Sequence, residues 1–342
     1  MMLSDNNMDG YMEDEDDILS ADRGARHIAL EINNATAEFA GIRIDKFLSE
    51  ALQEHSRSFL QKLIDDGCVT VCGKAVKSNY KLKTGDSILV CIPEPQTLSV
   101  LPENIPLKIV YEDSDIIVVD KPKGMVVHPA PGHTGGTLVN ALMYHCHDSL
   151  SSINGVLRPG IVHRIDMNTT GLLVVCKNDT AHRIMADKFK IHDITRVYTA
   201  IVYNHFHDVQ GTVDKPIARS KADRKKMAVD MNGRHAVTHY TVQENLKQNF
   251  SLIECRLETG RTHQIRVHMA SINHPLLGDE LYGPKVKPFK TDGQVLHAGV
   301  LGFQHPITGE YMEFHSELPL YFREILKQLG AERHHHHQQQ QQ

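Results

Sequence analysis

The chain has 342 residues, enough for about two domains by length, with 41% hydrophobic residues and a net charge of -5. Residues 1–40 hold ten Asp or Glu against two Arg, so the rest of the chain carries about +3 and its body is mildly basic. No run of roughly 18 apolar residues exists, which argues against a membrane-spanning helix, and the acidic stretch Met1 to Asp17 does not read as a secretory signal.

In chain order, residues 1–40 read as an acidic, disordered tail, lacking the periodicity that a packed element needs. From Gly41 the pattern sharpens. Ile44, Phe47, Leu48, Ala51 and Leu52 recur at helical spacing, and a second helix over Phe59, Leu60, Leu63 and Ile64 is expected, with Ser56 as N-cap and Gly67 as its stop. Val69 to Val76 reads as a strand and turn, and Thr84 to Val90 as a turn and strand. Lys and Arg residues decorate this unit, and residues 93–104, opening on Pro93-Glu-Pro, read as a linker.

Two strands, Lys108 to Asp113 and Asp115 to Pro122, open the larger domain at about residue 105, followed by a Pro-Gly loop and a helix from Thr137 to Tyr144. The segment Gly160 to Cys176 then reads Gly-Ile-Val-His-Arg-Ile-Asp-Met-Asn-Thr-Thr-Gly-Leu-Leu-Val-Val-Cys. Ile161-Val162 and Leu172 to Val175 read as short buried strands. Between them stand His163, Arg164, Asp166, Asn168, Thr169 and Thr170, charged and hydroxyl groups placed close to a core, where unpaired charge is expensive. An Arg164 to Asp166 ion pair pinning the loop is one account of them; a reactive carboxylate is another. Downstream, a helix over Thr180 to Lys190 and a strand from Arg196 carrying Tyr198 precede a basic cluster of Arg219, Lys221, Arg224, Lys225 and Lys226. A strand over Leu252 to Leu257 leads into Thr-Gly-Arg-Thr-His-Gln-Ile-Arg-Val-His-Met, residues 259–269, dense in cations. Closing strands and a C-terminal helix run to Leu329, and residues 331–342, rich in His and Gln, form a low-complexity tail left out of the fold and metal arguments.

His163-Arg-Ile-Asp166 followed by Thr169-Thr-Gly-Leu-Leu173 resembles the signature of the RluA-type RNA pseudouridine synthases, with Ile165 for the usual Leu and Thr170 for the usual Ser. Residues 41–92 are similar to the S-four-type RNA-binding module named after a small-subunit ribosomal protein, through Arg43-Ile-Asp-Lys-Phe-Leu, Ser56-Arg-Ser and Gly67-Cys-Val-Thr-Val-Cys-Gly-Lys. The resemblance implies an α+β protein: a small N-terminal RNA-binding module followed by a mixed, mainly antiparallel sheet flanked by helices over residues 105–330. It implies Asp166 as nucleophile, Tyr198 stacked on the uracil and also able to take the C5 proton, and Arg261, preferred over Arg266, beside the aspartate. Arg164, His163, Thr170 and Arg266 are candidates for substrate binding, and Arg57, Ser58, Gln61 and Lys62 for RNA contact on the second helix.

No nucleotide-hydrolase, dinucleotide or zincin motif occurs, and Cys68 and Cys72 lack a second pair for zinc, so neither metal nor cofactor is expected. Six cysteines scattered through apolar runs fit reduced thiols in the cytoplasm. The implied activity is isomerisation of uridines in large-subunit ribosomal RNA by a monomer, with transfer RNA as the alternative substrate. A non-catalytic RNA-binding assembly factor is the rival from another class. A glycosidase-like hydrolase would need a second carboxylate, which these motifs do not supply.

Overall fold

The computed structural model describes residues 25–31, 39–53, 55–93, 100–129, 134–147, 149–153, 158–285 and 288–331. They divide into two units, one ending at Leu98 and one beginning at Ser99.

In the N-terminal unit the helical periodicity yields α1 (Ile44–Ala51) and α2 (Arg57–Asp65), and the Ser56 side chain accepts the Phe59 N–H to cap α2. β1 (Ala25–Glu31), β2 (Val69–Val71), β3 (Lys74–Ala75) and β4 (Ser87–Pro93) form an antiparallel sheet in the order β1-β4-β2-β3. Ile44, Leu48, Leu60, Leu63, Val69, Ile88 and Val90 make its core. β1 corrects the reading of residues 1–40 as one disordered tail: seven of them pair in register with β4, from Ala25 against Pro93 to Glu31 against Ser87. Backbone pairing with an edge does not need the strong alternation that reading looked for. Residues 1–24 lie outside the described residues.

One buried charge organises this unit. Asp45 is fully buried and accepts from Arg43 Nε and Nη2 (2.9 and 3.0 Å), Arg57 Nη2 (3.2 Å) and Gln61 Nε2 (3.0 Å). Burial acts to raise its carboxyl, but the hydrogen bonds from Arg43, Gln61 and Arg57 outweigh it and bring the pKa to about 2. Two residues expected to face RNA, Arg57 and Gln61, are therefore tied to α1, although the Arg57 side chain keeps 59% exposure. Lys62 stands half-buried in the last turn of α2, and nothing is described of the Ser58 side chain.

The C-terminal unit is built on a nine-stranded sheet. Its strands are β5 (Lys108–Glu112), β6 (Ile116–Lys121), β7 (Thr170–Cys176), β8 (Thr195–Tyr203), β9 (Gln210–Asp214), β12 (Val237–Leu246), β13 (Phe250–Leu257), β14 (Leu296–Gln304) and β15 (Tyr311–His315). The order is β5-β6-β7-β14-β8-β13-β12-β9, with β15 also on β14; every pairing is antiparallel except β7 with β14. The expected α+β architecture, with a mixed and mainly antiparallel sheet, therefore holds. β10 (Ile217–Arg219) and β11 (Met227–Val229) form a separate hairpin.

The near-continuous apolar runs of β6 and β7 follow from cover on both faces. Ile117, Val119, Leu173 and Val175 pack with α3 (Leu138–Cys146) and α5 (Gln264–Ser271). Their neighbours Ile116, Val118, Leu172 and Val174 pack with Met185 and Phe189 of α4 (Asp179–Lys190), and α6 (Leu320–Gln328) covers Ile201 and Leu252. The expected linker is shorter than residues 93–104: Val100 joins the core, the Leu101 carbonyl accepts from Asn140 Nδ2, and the Glu103 carboxylate accepts the Gly136 N–H. Among the described residues no helix is long and apolar enough to cross a membrane.

Asp45→Ala should destabilise the N-terminal unit by about 1–3 kcal/mol, since it strands the donors of three side chains. Amide exchange confined to residues 39–93 of the full chain measures it, and unchanged protection there would refute the account. A carboxyl depressed on folding stabilises above its ordinary pKa and loses that contribution as pH falls toward about 2, so Asp45→Asn should reduce the acid sensitivity of this unit.

Candidate active site

β14 runs parallel to β7 only at Thr170 and Gly171, so the later amides of β7 that face away from β6 need other acceptors. Residues 160–163 supply them. The Cys176 N–H donates to the Gly160 carbonyl, and the Val174 N–H donates to His163 Nε2 at 3.0 Å. Ile161 makes a single bridge to Val175, so Ile161-Val162 is an edge-filling loop where a strand was expected. His163 also stacks on Phe189, ring centroids 4.5 Å apart, and burial together with the Arg196 charge pushes its pKa down to about 3. The neutral ring braces the loop from behind. His163, expected at the substrate, thus has Nε2 committed to the fold.

Thr170 is likewise committed to the fold, because its buried hydroxyl lies 2.8 Å from His297 Nδ1 and stitches β7 to β14. Gly171, at φ +113°, permits the close β7–β14 approach, since a Cβ there would run into the Ala298 backbone.

Ahead of β7 the chain turns sharply, the Thr169 N–H donating to the Asp166 carbonyl. Two neighbours hold the turn. Lys121, at 1% exposure, spends its ammonium on the carbonyls of Pro122 (2.9 Å), Met125 (2.8 Å) and Met167 (2.9 Å), and Gly124 N–H also donates to Met167. Gln294 Nε2 donates to Thr169 Oγ1 at 3.0 Å. Arg164 is exposed, with Nη1 3.3 Å from His128 Nε2, and makes no ion pair with Asp166 among the described residues.

The guanidinium on Asp166 is that of Arg266, whose Nη1 donates to Asp166 Oδ2 at 2.8 Å. Its Nε and Nη2 grip buried Asp279 at 2.7 and 2.9 Å. Arg261 occupies the turn before α5, where its amide donates to Gln264 Oε1 and its Nε donates to the His235 carbonyl. The preference for Arg261 over Arg266 is thus corrected: Arg266 lies inside the first turn of the helix, on its buried side. Asp279 Oδ1 further accepts the N–H groups of Leu281 and Tyr282, and the Tyr282 ring lies 5.1 Å from the Arg266 guanidinium carbon. Burial would raise the Asp166 carboxyl, but His263, Arg266 and Arg164 together hold it below the ordinary carboxylate value. It is ionised at neutral pH.

His263 approaches the same carboxylate, its Nε2 3.8 Å from Oδ1. Tyr198, buried in β8, has no hydrogen bond to its hydroxyl among the described residues. Burial raises its phenol, with Arg196 opposing and Asp166 adding, so it stays protonated. The site therefore offers an ionised carboxylate with one oxygen bound and one open, beside an aromatic ring. Asp279, Lys121 and His263 were not singled out from sequence. The only signal for the first was its place in the Leu-Leu-Gly-Asp stretch at 276–279.

Two groups among the described residues could offer three metal ligands each: Glu112, His145 and Cys146, and Asp113, Asp115 and His305. Glu112 is taken by Lys177 and His145, and Asp113 by Tyr111, His305 and two backbone amides, so both are bonded networks of the β5–β6 edge.

Residues 115–271 match the family model described as RNA pseudouridylate synthase, and residues 42–88 match the S4 domain. A relative described as an uncharacterized RNA pseudouridine synthase, YlyB, of Bacillus subtilis is 54% identical over 295 residues, covering 86% of this chain and 96% of the relative. Ribosomal large subunit pseudouridine synthase D of Zymomonas mobilis is 50% identical over 305 residues, covering 86% and 96%. In structure, human RNA pseudouridylate synthase domain containing 1 superposes with a TM-score of 0.52 at 24% identity, covering 70% of this chain and 98% of that one, a likeness of fold.

Arg266→Gln should raise the Asp166 pKa, as read by carboxyl carbon NMR titration. An unmoved titration would mean that Arg266 does not hold the charge.

Proposed function

The chain belongs to the RNA pseudouridylate synthase family, and on that premise we propose that it converts specific uridines of large-subunit ribosomal RNA to pseudouridine with Asp166 as nucleophile. The reaction breaks the bond from ribose C1′ to uracil N1 and joins C5 to C1′. A proton leaves C5 and one is gained at N1, so no atoms are gained overall and no electrons change hands. One observation carries the reading: an ionised carboxylate whose Oδ2 is fixed by Arg266 at 2.8 Å while Oδ1 accepts no hydrogen bond among the described residues. A carboxylate oxygen so directed suits a sugar centre with oxocarbenium character.

Tyr198 serves as the stacking platform for the uracil, a contact worth roughly 1–3 kcal/mol. Its protonated phenol argues against a role as resting base. A stacked target must first be turned out of the helix, at a few kcal/mol, and exposed Arg164 is available to fill the space it leaves. In the N-terminal module Arg57 and Arg43, half-exposed over buried Asp45, offer cations to phosphate. The Zymomonas relative and others at 40–43% identity are named ribosomal large subunit pseudouridine synthase D, and alignment over 85–90% of this chain supports extending the ribosomal large subunit here, with its RNA as the uridine-bearing component. The described cysteines are all unpaired, in keeping with work in the cytoplasm. The protein acts as a monomer without a nucleotide cofactor in this reading.

Carbodiimide mapping of ribosomal and transfer RNA tests it, in cells lacking the protein and complemented with wild type or Asp166→Asn. Loss of particular large-subunit sites, restored only by wild type, is expected. Loss confined to transfer RNA would move the substrate, and no change at any site would favour the non-catalytic assembly factor.

A further inference from the structure

Asp166 has a neighbour on the oxygen that Arg266 leaves open. His263 precedes α5 in the left-handed conformation (φ 54°, ψ 20°), a costly backbone for a non-glycine residue that is kept where its side chain has to be aimed. The ring so aimed places Nε2 3.8 Å from Asp166 Oδ1 and Nδ1 2.8 Å from the Tyr282 hydroxyl. That hydroxyl accepts the Met227 N–H, also at 2.8 Å.

These contacts assign the protons. A phenol oxygen offers one proton and one well-directed in-plane lone pair; with the Met227 amide on that lone pair, the proton is what it presents to His263 Nδ1. An imidazole that accepts at Nδ1 carries its hydrogen at Nε2. We infer that His263 is a positioning residue for Asp166, locked by Tyr282 in the tautomer that presents Nε2–H toward Oδ1. The inference rests on Asp166 being the nucleophile. At 3.8 Å the contact is electrostatic and is too long for a hydrogen bond, so it restrains the direction of Oδ1 without occupying its lone pair. The opposite tautomer would set a nitrogen lone pair against the carboxylate oxygen and turn it away.

The device also reaches the surface. Met227 opens β11, and the β10–β11 hairpin carries exposed Arg219 at the end of β10 and Lys221, Arg224 and Lys225 in its turn, from the sequence's densest basic cluster. Met227 and Tyr282 pack together against Val267 of α5. The hydrogen bond that fixes the His263 tautomer thus originates in the backbone of a cationic hairpin.

The test uses full-length protein and ribosomal RNA from cells lacking it, labelled with tritium at uridine C5, since joining C5 to C1′ releases that hydrogen. His263→Asn tolerates the left-handed backbone but cannot reach Oδ1. It should lower kcat by about 10- to 100-fold with KM unchanged. His263→Gln, which restores a longer N–H donor, should recover most of the loss. Tyr282→Phe should lower kcat alone yet add nothing in the His263→Asn background, because the two act as one unit. Wild-type turnover by His263→Asn, or additive losses in the double variant, would overturn the inference. A wild-type protein that releases no tritium would count against the isomerase reading instead. In that event nitrogen-15 spectra of histidine-labelled protein decide: a proton at Nε2 of His263 that redistributes in Tyr282→Phe supports the assignment, and a proton at Nδ1 contradicts it.

Discussion

A carboxylate that is to react at a sugar must be ionised, aimed and partly free of water, and these requirements conflict, since burial drives a carboxyl toward its neutral form. Arg266 resolves the conflict here by serving two acids at once. Two of its N–H groups are locked on Asp279, which is fully buried and further tied to backbone amides, so the guanidinium is oriented before it meets Asp166. The remaining edge then fixes one oxygen of Asp166 and leaves the other without a hydrogen bond among the described residues. With Asp166 alone as partner, a flexible arginine would supply charge without direction; with Asp279 behind it, it supplies both.

The remainder of the unit serves the loop that carries Asp166. β7 is held on one side by β6 and on the other by residues 160–163, with the His163 ring standing in for a missing strand. Lys121 closes the near flank by donating to three carbonyls, one of them that of Met167, the neighbour of Asp166. A loop so constrained keeps its polar groups satisfied close to a core, as a pre-formed site requires. The cost is a fully buried ammonium, whose pKa burial pushes down to about 7 against the pull of Asp166.

Much of this was legible in the sequence, for physical reasons. Helices with amphipathic spacing and a local cap, such as α2 with Ser56 and α3 with Thr137, declare themselves because their determinants lie within a few residues. The Asp166 loop also stood out, as charge flanked by core residues. What was not legible depends on distant partners. Two arginines five residues apart at a helix start have the same local chemistry, and only the position of Asp279 makes Arg266 the partner of Asp166. His163 looked like a site residue because it shares a signature with Asp166, yet its acceptor nitrogen answers an amide eleven residues along the chain. β1 escaped notice because its partner, β4, lies about 60 residues away.

The central claim, that Asp279 orients Arg266 and through it the Asp166 carboxylate proposed as nucleophile, is tested most directly by single-turnover release of tritium from C5-labelled ribosomal RNA by Asp279→Asn. That variant keeps the shape of the acid and removes its charge. The account predicts a rate lower by about 10- to 100-fold with RNA affinity retained. Equal rates in variant and wild type, at equal RNA occupancy, would contradict it.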